Sequence, residues 1–220
     1  MSKIISIDGL DGSGKGTQAA LLNEYFKSKG KQSHLLSFPM YDNVSATFVK
    51  MYLEGELGRD PSATNAYAAS SFYAMDRYIS YRTEWGRLCS EDGIVIFNRY
   101  TTANAVHQLS KLPKEEWDDF LAWLWDYEFS KLSLPVPDII FYLVVSPEIS
   151  MGLVEKRSSI TGQKMDIHEL DKGHIYQSYN AGLYAAKKLG WIMIHCCENG
   201  QMRSIDDIQA EIRSHAKVLL

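Results

Sequence analysis

The sequence lacks most of what would take it out of the class of ordinary globular proteins. Its 220 residues hold three cysteines, Cys89, Cys196 and Cys197. The number is odd, two are adjacent in an apolar run, and none has metal-ligand spacing, so buried thiols are expected in place of a disulfide framework or a zinc site. No apolar stretch approaches the roughly 18 residues that span a bilayer, and Lys3 precedes only a short apolar run and then glycines, which is not the pattern of a signal peptide. A cytoplasmic protein with no membrane partner is expected. Lys and Arg form no dense block, and 23 of them against 27 Asp and Glu leave a net charge of −4. Nucleic-acid surfaces need clustered positive charge, so no nucleic-acid partner is expected, whereas a small phosphorylated ligand needs only a local basic site. Internal repeats and low-complexity linkers are absent, and a single domain over 1–220 is expected.

What is present begins close behind the start methionine. The apolar run Ile4-Ile5-Ser6-Ile7 leads into Asp8-Gly9-Leu10-Asp11-Gly12-Ser13-Gly14-Lys15-Gly16-Thr17, and Gln18 to Lys29 has helical spacing of apolar residues. Strand, glycine loop and helix are the context of a P-loop, which distinguishes it from a bare glycine-rich turn. Glycines let successive N–H groups point inward, the helix N-terminus adds partial positive charge, and Lys15 reaches the outer phosphates. Gly9, Gly14 and Lys15 complete G-x-x-x-x-G-K; the next residue is Gly16, and the hydroxyl is delayed to Thr17.

Four further short runs rich in β-formers follow, Ser33 to Phe38, Gly93 to Phe97, Asp138 to Val145 and Trp191 to Cys196. They lack clean alternation and have helix-length segments between them, the pattern of an α/β protein with a parallel sheet covered on both faces. Asp60-Pro61 predicts the start of a long helix from Ser62 to about Leu88, and Pro113 starts another that carries Trp117, Phe120, Leu121, Leu124 and Trp125 as a core or subunit-interface stripe. Ser146-Pro147-Glu148 predicts a helix through about Lys156. The Asp166-x-x-Glu169 pair reads as a cap, with ion pairs to nearby cations as the other reading.

Companion motifs decide what the cradle serves. Guanine-reading Asn-Lys-x-Asp is absent, and the third and fourth strands end in Asn98 and Ser146, where a motor ATPase would carry an acid. Transfer to a second substrate remains, and it requires a second anion site. Asn98-Arg99-Tyr100 at the carboxyl end of the third strand offers an arginine that can fork onto phosphate, a surface ion pair being the alternative. Tyr73 and Arg77 are i, i+4 neighbours; taken alone such a pair is more often core plus surface than a base site. Phe38-Pro39-Met40-Tyr41 follows the second strand.

With these landmarks in order along its whole length, the chain resembles a thymidylate kinase, of the nucleoside monophosphate kinase group of P-loop proteins. The resemblance rests on Asp8, Asp11, Phe38-Pro39, Tyr73 with Arg77, Arg99-Tyr100 and a basic lid at about 156–171. It implies a P-loop NTPase fold with a five-stranded parallel sheet flanked by helices on both faces, a homodimer, and ATP-dependent phosphorylation of a deoxynucleoside monophosphate, dTMP to dTDP, with Mg2+ held mainly through ATP phosphates and water. It also implies that Gly9, Gly12, Ser13, Gly14, Lys15, Gly16 and Thr17 bind ATP, and that Lys15, Asp11, Arg99 and Arg157 carry catalysis. At the acceptor, Arg99 would also hold the phosphate and Asp11 would contact the sugar or the magnesium shell, Phe38, Pro39, Tyr41 and Tyr100 would line the site, Tyr73 would stack on the base, Arg77 and Asn104 would read its edge, and Tyr184 would lie near it. Lys156, Arg157 and Lys164 would be the lid cations, a solvated loop being the alternative reading.

The chain departs from the family pattern in places. Asn98 stands where an Asp is usual, Met40 and Tyr41 follow Phe-Pro without an arginine, Gly16 replaces the hydroxyl after the lysine, and His107 occupies the position of an aromatic residue beside the sugar. These put strict thymidylate preference and direct protein ligation of the metal in question, and no metal-ligating residue is assigned. At His107 structural and functional readings are both open; His34, His168, His174, His195 and His215 are given no role. Two rival activities remain: a deoxynucleoside kinase, with Asp8 or Asp11 as base for a 5′-hydroxyl, and a nucleotide-binding switch that transfers nothing.

Overall fold

The computed structural model describes residues 1–58, 60, 63–162 and 165–220. Five strands, β1 (Lys3–Gly9), β2 (Ser33–Ser37), β3 (Ile94–Asn98), β4 (Ile139–Val144) and β5 (Ile192–His195), pair in the order β2-β3-β1-β4-β5, every pair parallel. This is the expected sheet, and each strand ends within two residues of its apolar run. Between and after the strands lie α1 (Lys15–Ser28), α2 (Thr47–Leu53), α3 (Ala66–Ser80), α4 (Gly86–Ser90), α5 (Thr101–His107), α6 (Trp117–Trp125), α7 (Pro147–Thr161), α8 (Ile167–Leu170), α9 (Lys172–Lys188) and α10 (Ile205–Ala216). No helix among the described residues is long and apolar enough to cross a membrane.

Strand pleating sends Ile5 and Ile7 to one face, where they meet Ala19, Leu22 and Phe26 of α1 and Ile208 and Ile212 of α10. The other face of β4, Tyr142 and Val144, packs against Ala105 and Val106 of α5, Phe120 and Leu124 of α6, and Ala181 and Ala185 of α9. Cover on both faces is why the strand sequences read as continuous apolar runs. The stripe on α6 is core: Trp117, Phe120, Leu121 and Leu124 are buried. Cys89 and Cys196 are buried and Cys197 half-buried, all as free thiols.

Two helix boundaries differ from expectation. The long helix begins at Ala66, because the Asn65 side chain accepts from the Ala68 N–H at 2.8 Å and caps it there; Pro61 and Ser62 lie outside the described residues. A π-helical turn, Tyr81–Trp85, then joins α3 to α4. The helix expected to end near Lys156 runs on to Thr161, since its terminator is Gly162 at φ 70 and not the cations before it. The first residues of the expected lid, 156–161, are therefore helical.

From β1 the chain passes outward to β2, returns through β3, and then crosses to β4 on the other side of β1. The carboxyl ends of β1 and β3 thus bound a topological switch point, where ligands of open α/β sheets bind. The glycine loop, Asn98-Arg99-Tyr100 and Phe38-Pro39 all leave the sheet at this edge.

Candidate active site

The loop after β1 wraps around its own lysine. Lys15 Nζ donates to the carbonyls of Gly9 at 2.9 Å and Leu10 at 2.7 Å and lies 3.5 Å from Asp11 Oδ1. Burial pushes its pKa down to about 8, against the attraction of Asp8. Gly12 sits at φ 78, and a Cβ added there would stand 2.7 Å from the Ser150 carbonyl of α7, so no side chain fits. Ser150 Oγ donates to the Asp11 carbonyl at 2.5 Å and clamps the loop to that helix. Ser13 Oγ is buried without a partner among the described residues, and so is Asn98 Oδ1, whose amide nitrogen lies beside Gly16. Thr17 is exposed on the first turn of α1. Behind the loop, Asp8 is buried and accepts from Ser6 Oγ at 3.1 Å and from Thr102 Oγ1; burial raises its pKa, those bonds opposing.

Arg99 follows β3 with a left-handed backbone, φ 68, which a non-glycine residue adopts at a cost of about 1 kcal/mol. Its N–H donates to the Ile7 carbonyl at 3.1 Å, so strand pairing fixes this turn and aims the side chain back toward the glycine loop. Nη2 there pairs with Asp11 Oδ1, and Nη1 lies 3.5 Å from His107 Nε2. Burial lowers the Arg99 pKa, the Asp8 charge opposing. Asp11 therefore touches both cations, Lys15 on one side and Arg99 on the other.

Beyond Arg99 opens a pocket lined by Asp11, Phe38, Pro39, Tyr41, Tyr73, Arg77, Arg99, Tyr100, Asn104 and His107, together with Leu53, Ala103, Gln108, Asp166 and His168. Ten of the eleven residues expected at the acceptor are thus brought together. Tyr184 is not among them. Its hydroxyl donates to Asp118 Oδ1 at 2.5 Å and its ring packs edge-on against Trp117 at 5.0 Å, which holds it against α6, away from this cavity.

Several residues that sequence reasoning missed shape the pocket. Glu128, fully buried on a π-helical turn after α6 (Asp126–Lys131), accepts from Arg77 Nε at 2.7 Å and Nη2 at 2.5 Å, from Thr101 Oγ1 at 2.7 Å and from Asn104 Nδ2 at 3.4 Å. Burial pulls the Arg77 pKa down, but the Glu128 charge and hydrogen bonds outweigh it and the net shift is upward. Asp76 accepts from the Met40 N–H at 2.9 Å and Ser45 Oγ at 2.6 Å, tying the Phe38-Pro39 turn to α3. His168 of α8 closes the pocket from the lid side and packs 4.3 Å, ring to ring, from His174 of α9.

Both readings of the Asp166-x-x-Glu169 pair hold. Asp166 accepts from the His168 and Glu169 N–H groups and Glu169 reaches back to the Asp166 N–H, a complete capping box, while the other Glu169 oxygen takes Arg157 Nη2 at 2.5 Å. Lys156 is exposed, and Lys164 lies outside the described residues.

The model of one family, thymidylate kinase, matches residues 7–210. The chain belongs to the thymidylate kinase family. Among curated relatives, the thymidylate kinase of Mycobacterium tuberculosis is 34% identical over 148 residues, 67% of this chain and 68% of that protein. A probable thymidylate kinase of Pyrococcus horikoshii is 28% identical over 71% of this chain and 72% of its own, and the thymidylate kinase of Caenorhabditis elegans 27% over 67% and 65%. Family membership makes this chain a phosphotransferase with a nucleotide site, and accounts for a glycine-loop cradle that opens through Asp11 and Arg99 onto a second, partly apolar pocket.

Proposed function

We propose that this chain transfers the γ-phosphoryl group of ATP to the 5′-phosphate of dTMP, giving ADP and dTDP. The observation that carries the reading is the shared contact of Asp11 with Lys15 and Arg99, which joins a donor cradle to a pocket holding Phe38, Tyr73, Arg77 and Asn104. Gly9, Gly12, Ser13, Gly14, Lys15, Gly16 and Thr17 bind the ATP phosphates. Phe38, Pro39, Tyr41 and Tyr100 wall the acceptor, Tyr73 stacks on its base, Arg77 and Asn104 read the base edge, and His107 stands beside the sugar. An acceptor phosphate oxygen attacks the γ-phosphorus as the bond to the ATP β,γ-bridging oxygen breaks, and the negative charge passes to ADP. The nucleophile is already an anion and needs no base, in keeping with an Asp8 sealed by Ser6 and Thr102. Lys15 and Arg99 stabilise charge on the transferring group and hold the two phosphates in line; Arg157 adds a cation from a lid at 156–171 that excludes water.

Mg2+, which the family uses with ATP, fits the residues present as an ion held through phosphate oxygens and water. Among the described residues, the buried side-chain oxygens without a partner beside the loop, Ser13 Oγ and Asn98 Oδ1, are neutral, as is the exposed Thr17 hydroxyl, and the Asp11 carboxylate is engaged by two cations. Bound there, the ion would neutralise charge on the β- and γ-phosphates. A single kinase domain over 1–220, a homodimer and a cytoplasmic location complete the proposal. An ADP-release assay with dTMP, dUMP, dGMP, dCMP, AMP and thymidine tests it: turnover with dTMP is expected, turnover with thymidine alone would make it a nucleoside kinase, and turnover with none would refute transfer.

A further inference from the structure

The acceptor pocket carries a built-in orientation of hydrogen-bonding groups, and its origin is a residue outside the pocket. Asn104 Nδ2 is consumed on the far side, donating to the Ser70 carbonyl at 3.3 Å and to Glu128 Oε1 at 3.4 Å. Swapping the amide oxygen and nitrogen would set Oδ1 against those two acceptors, so the amide cannot turn over. Its Oδ1 is left for the cavity that Asn104 lines, with no donor to it among the hydrogen bonds of the described residues. Arg77 is fixed by the same carboxylate: Nε and Nη2 fork onto Glu128 at 2.7 and 2.5 Å, while Nη1 has only the Tyr100 carbonyl at 3.5 Å. Glu128 itself is fully buried and does not line the cavity.

The pocket therefore offers one acceptor, Asn104 Oδ1, beside one donor group, the Arg77 guanidinium. A thymine or uracil edge presents the complement, a 3-imino N–H donor beside a 4-keto acceptor. Cytosine presents the reverse, an N3 acceptor beside a 4-amino donor, and meets acceptor with acceptor and donor with donor. We propose that Glu128 is a positioning residue that locks the Asn104 amide and the Arg77 guanidinium in the arrangement that selects a 4-keto, 3-imino pyrimidine and rejects a 4-amino one. This rests on the reading of the pocket as the acceptor-base site. The two carboxylate oxygens are what the lock requires, because both must accept; a carboxamide at this position would turn an N–H2 toward an arginine N–H or toward Asn104 Nδ2, loosening the Arg77 guanidinium and leaving the Ser70 carbonyl alone to hold the Asn104 amide.

Glu128→Gln tests this through ratios of kcat/KM. In the parent enzyme dTMP and dUMP should be used and dCMP rejected, in the manner of sites that reject a substrate by leaving buried polar groups unpaired. In Glu128→Gln the dTMP to dCMP ratio should fall by at least about tenfold, part of the roughly 10^4-fold that such sites achieve, chiefly through KM for dTMP. The dTMP to dUMP ratio should stay within about twofold, since the 5-methyl group is not read by this pair. A purely structural role would lower all three rates together and leave the dTMP to dCMP ratio unchanged, and that result overturns the proposal. Glu128→Asp, which keeps two acceptor oxygens, should retain more of the discrimination than Glu128→Gln. Binding to the unmodified enzyme covers the case in which neither variant folds: dCMP binding within threefold of dTMP overturns the lock, and dCMP binding at least tenfold weaker supports it. Failure of the parent enzyme to phosphorylate dTMP would instead refute the proposed function.

Discussion

Acidification should destabilise this protein through His174, and the size of the effect follows from its surroundings. The ring is buried, 4.3 Å from His168 and 6.0 Å from His107, with Ser110 Oγ at 3.5 Å from Nδ1 and Ser178 Oγ at 3.2 Å from Nε2. Burial pushes its pKa down to about 4, the Lys111 charge adding to the shift and Asp171 opposing it. His107 and His168 are lowered well below the ordinary value by burial first and by neighbouring positive charge second. A folded pKa below the unfolded one means that the unfolded chain takes the proton first, so stability is lost as pH falls through the unfolded value near 6.5. For His174 alone, moving from pH 8 to pH 5 costs about 2 kcal/mol, with a local slope of about 1.2 kcal/mol per pH unit at pH 5. Asp8 and Asp166, both raised by burial, work in the opposite direction, because they bind protons in the folded state first. The readout is therefore the difference between the parent protein and His174→Gln, which keeps a hydrogen-bonding group between the two serines. Urea unfolding at pH 8 and pH 5 should show the parent losing about 2 kcal/mol more than the variant. Equal losses, within about 0.5 kcal/mol, or an imidazole resonance of His174 that titrates near 6.5, would refute the account.

Lys15→Ala should lower kcat/KM at least about 100-fold, about 2.7 kcal/mol of lost transition-state stabilisation; a near-normal rate would remove Lys15 from the mechanism. With the Lys15 pKa at about 8 in the free protein, ATP binding above that pH must take up a proton, so the ATP Kd, measured calorimetrically at constant free Mg2+, should rise about tenfold per pH unit above 8 and stay flat below 7. Constant affinity to pH 9.5 would contradict the buried, ligand-facing amine. Gly182→Ala should lower Tm, by up to about 8 °C, since the new Cβ would stand 2.0 Å from Tyr142 Oη, an overpacking cost of about 1–3 kcal/mol less roughly 1 regained from helix propensity. Tyr142 Oη has no partner among the described residues, so Gly182→Ala/Tyr142→Phe should recover part of the loss, the ring Cζ still standing 2.6 Å from the new Cβ, and a double variant no more stable than Gly182→Ala would refute the packing argument.

The donor half of the site was legible because consecutive residues form it: a glycine loop between strand and helix is a local object. Arg99 was legible from its place after β3, since the edge of a parallel sheet gathers whatever follows each strand. Glu128 is the instructive omission. It stands 51 residues from Arg77, and nothing local pairs them. Yet the stripe Trp117, Leu121, Leu124 continues at helical spacing to position 128, so an acid there is a carboxylate carried into the core, which demands a buried cation. Asp76 was overlooked because it adjoins the more conspicuous Arg77. Tyr184 was assigned from its position in the family pattern alone. Asp118, which also binds Lys188 at 2.7 Å, offered its hydroxyl a closer partner at the α6–α9 surface.

A protein of net charge −4 that binds two polyanions needs its cations unscreened at the right moment. Lys15 and Arg99 share one carboxylate, Asp11, and Arg157 holds Glu169. Exchanging the Asp11 carboxylate for an arriving phosphate keeps both cations paired throughout, so neither has to stand bare in a low-dielectric site first. The exchange of one anion for another also costs little reorganisation, because Asp11 sits on the loop that cradles the phosphates and is itself partly exposed, 17% of its side chain. Arg77 follows the opposite rule. Its partner has no exposed side-chain surface, and no ligand in the cavity can displace it. The carboxylates thus divide the four cations by their partners: under the proposed function, the three whose partners are partly exposed or shared would exchange them for phosphates during the reaction, while Arg77, with a permanent buried partner, would keep one orientation toward the base.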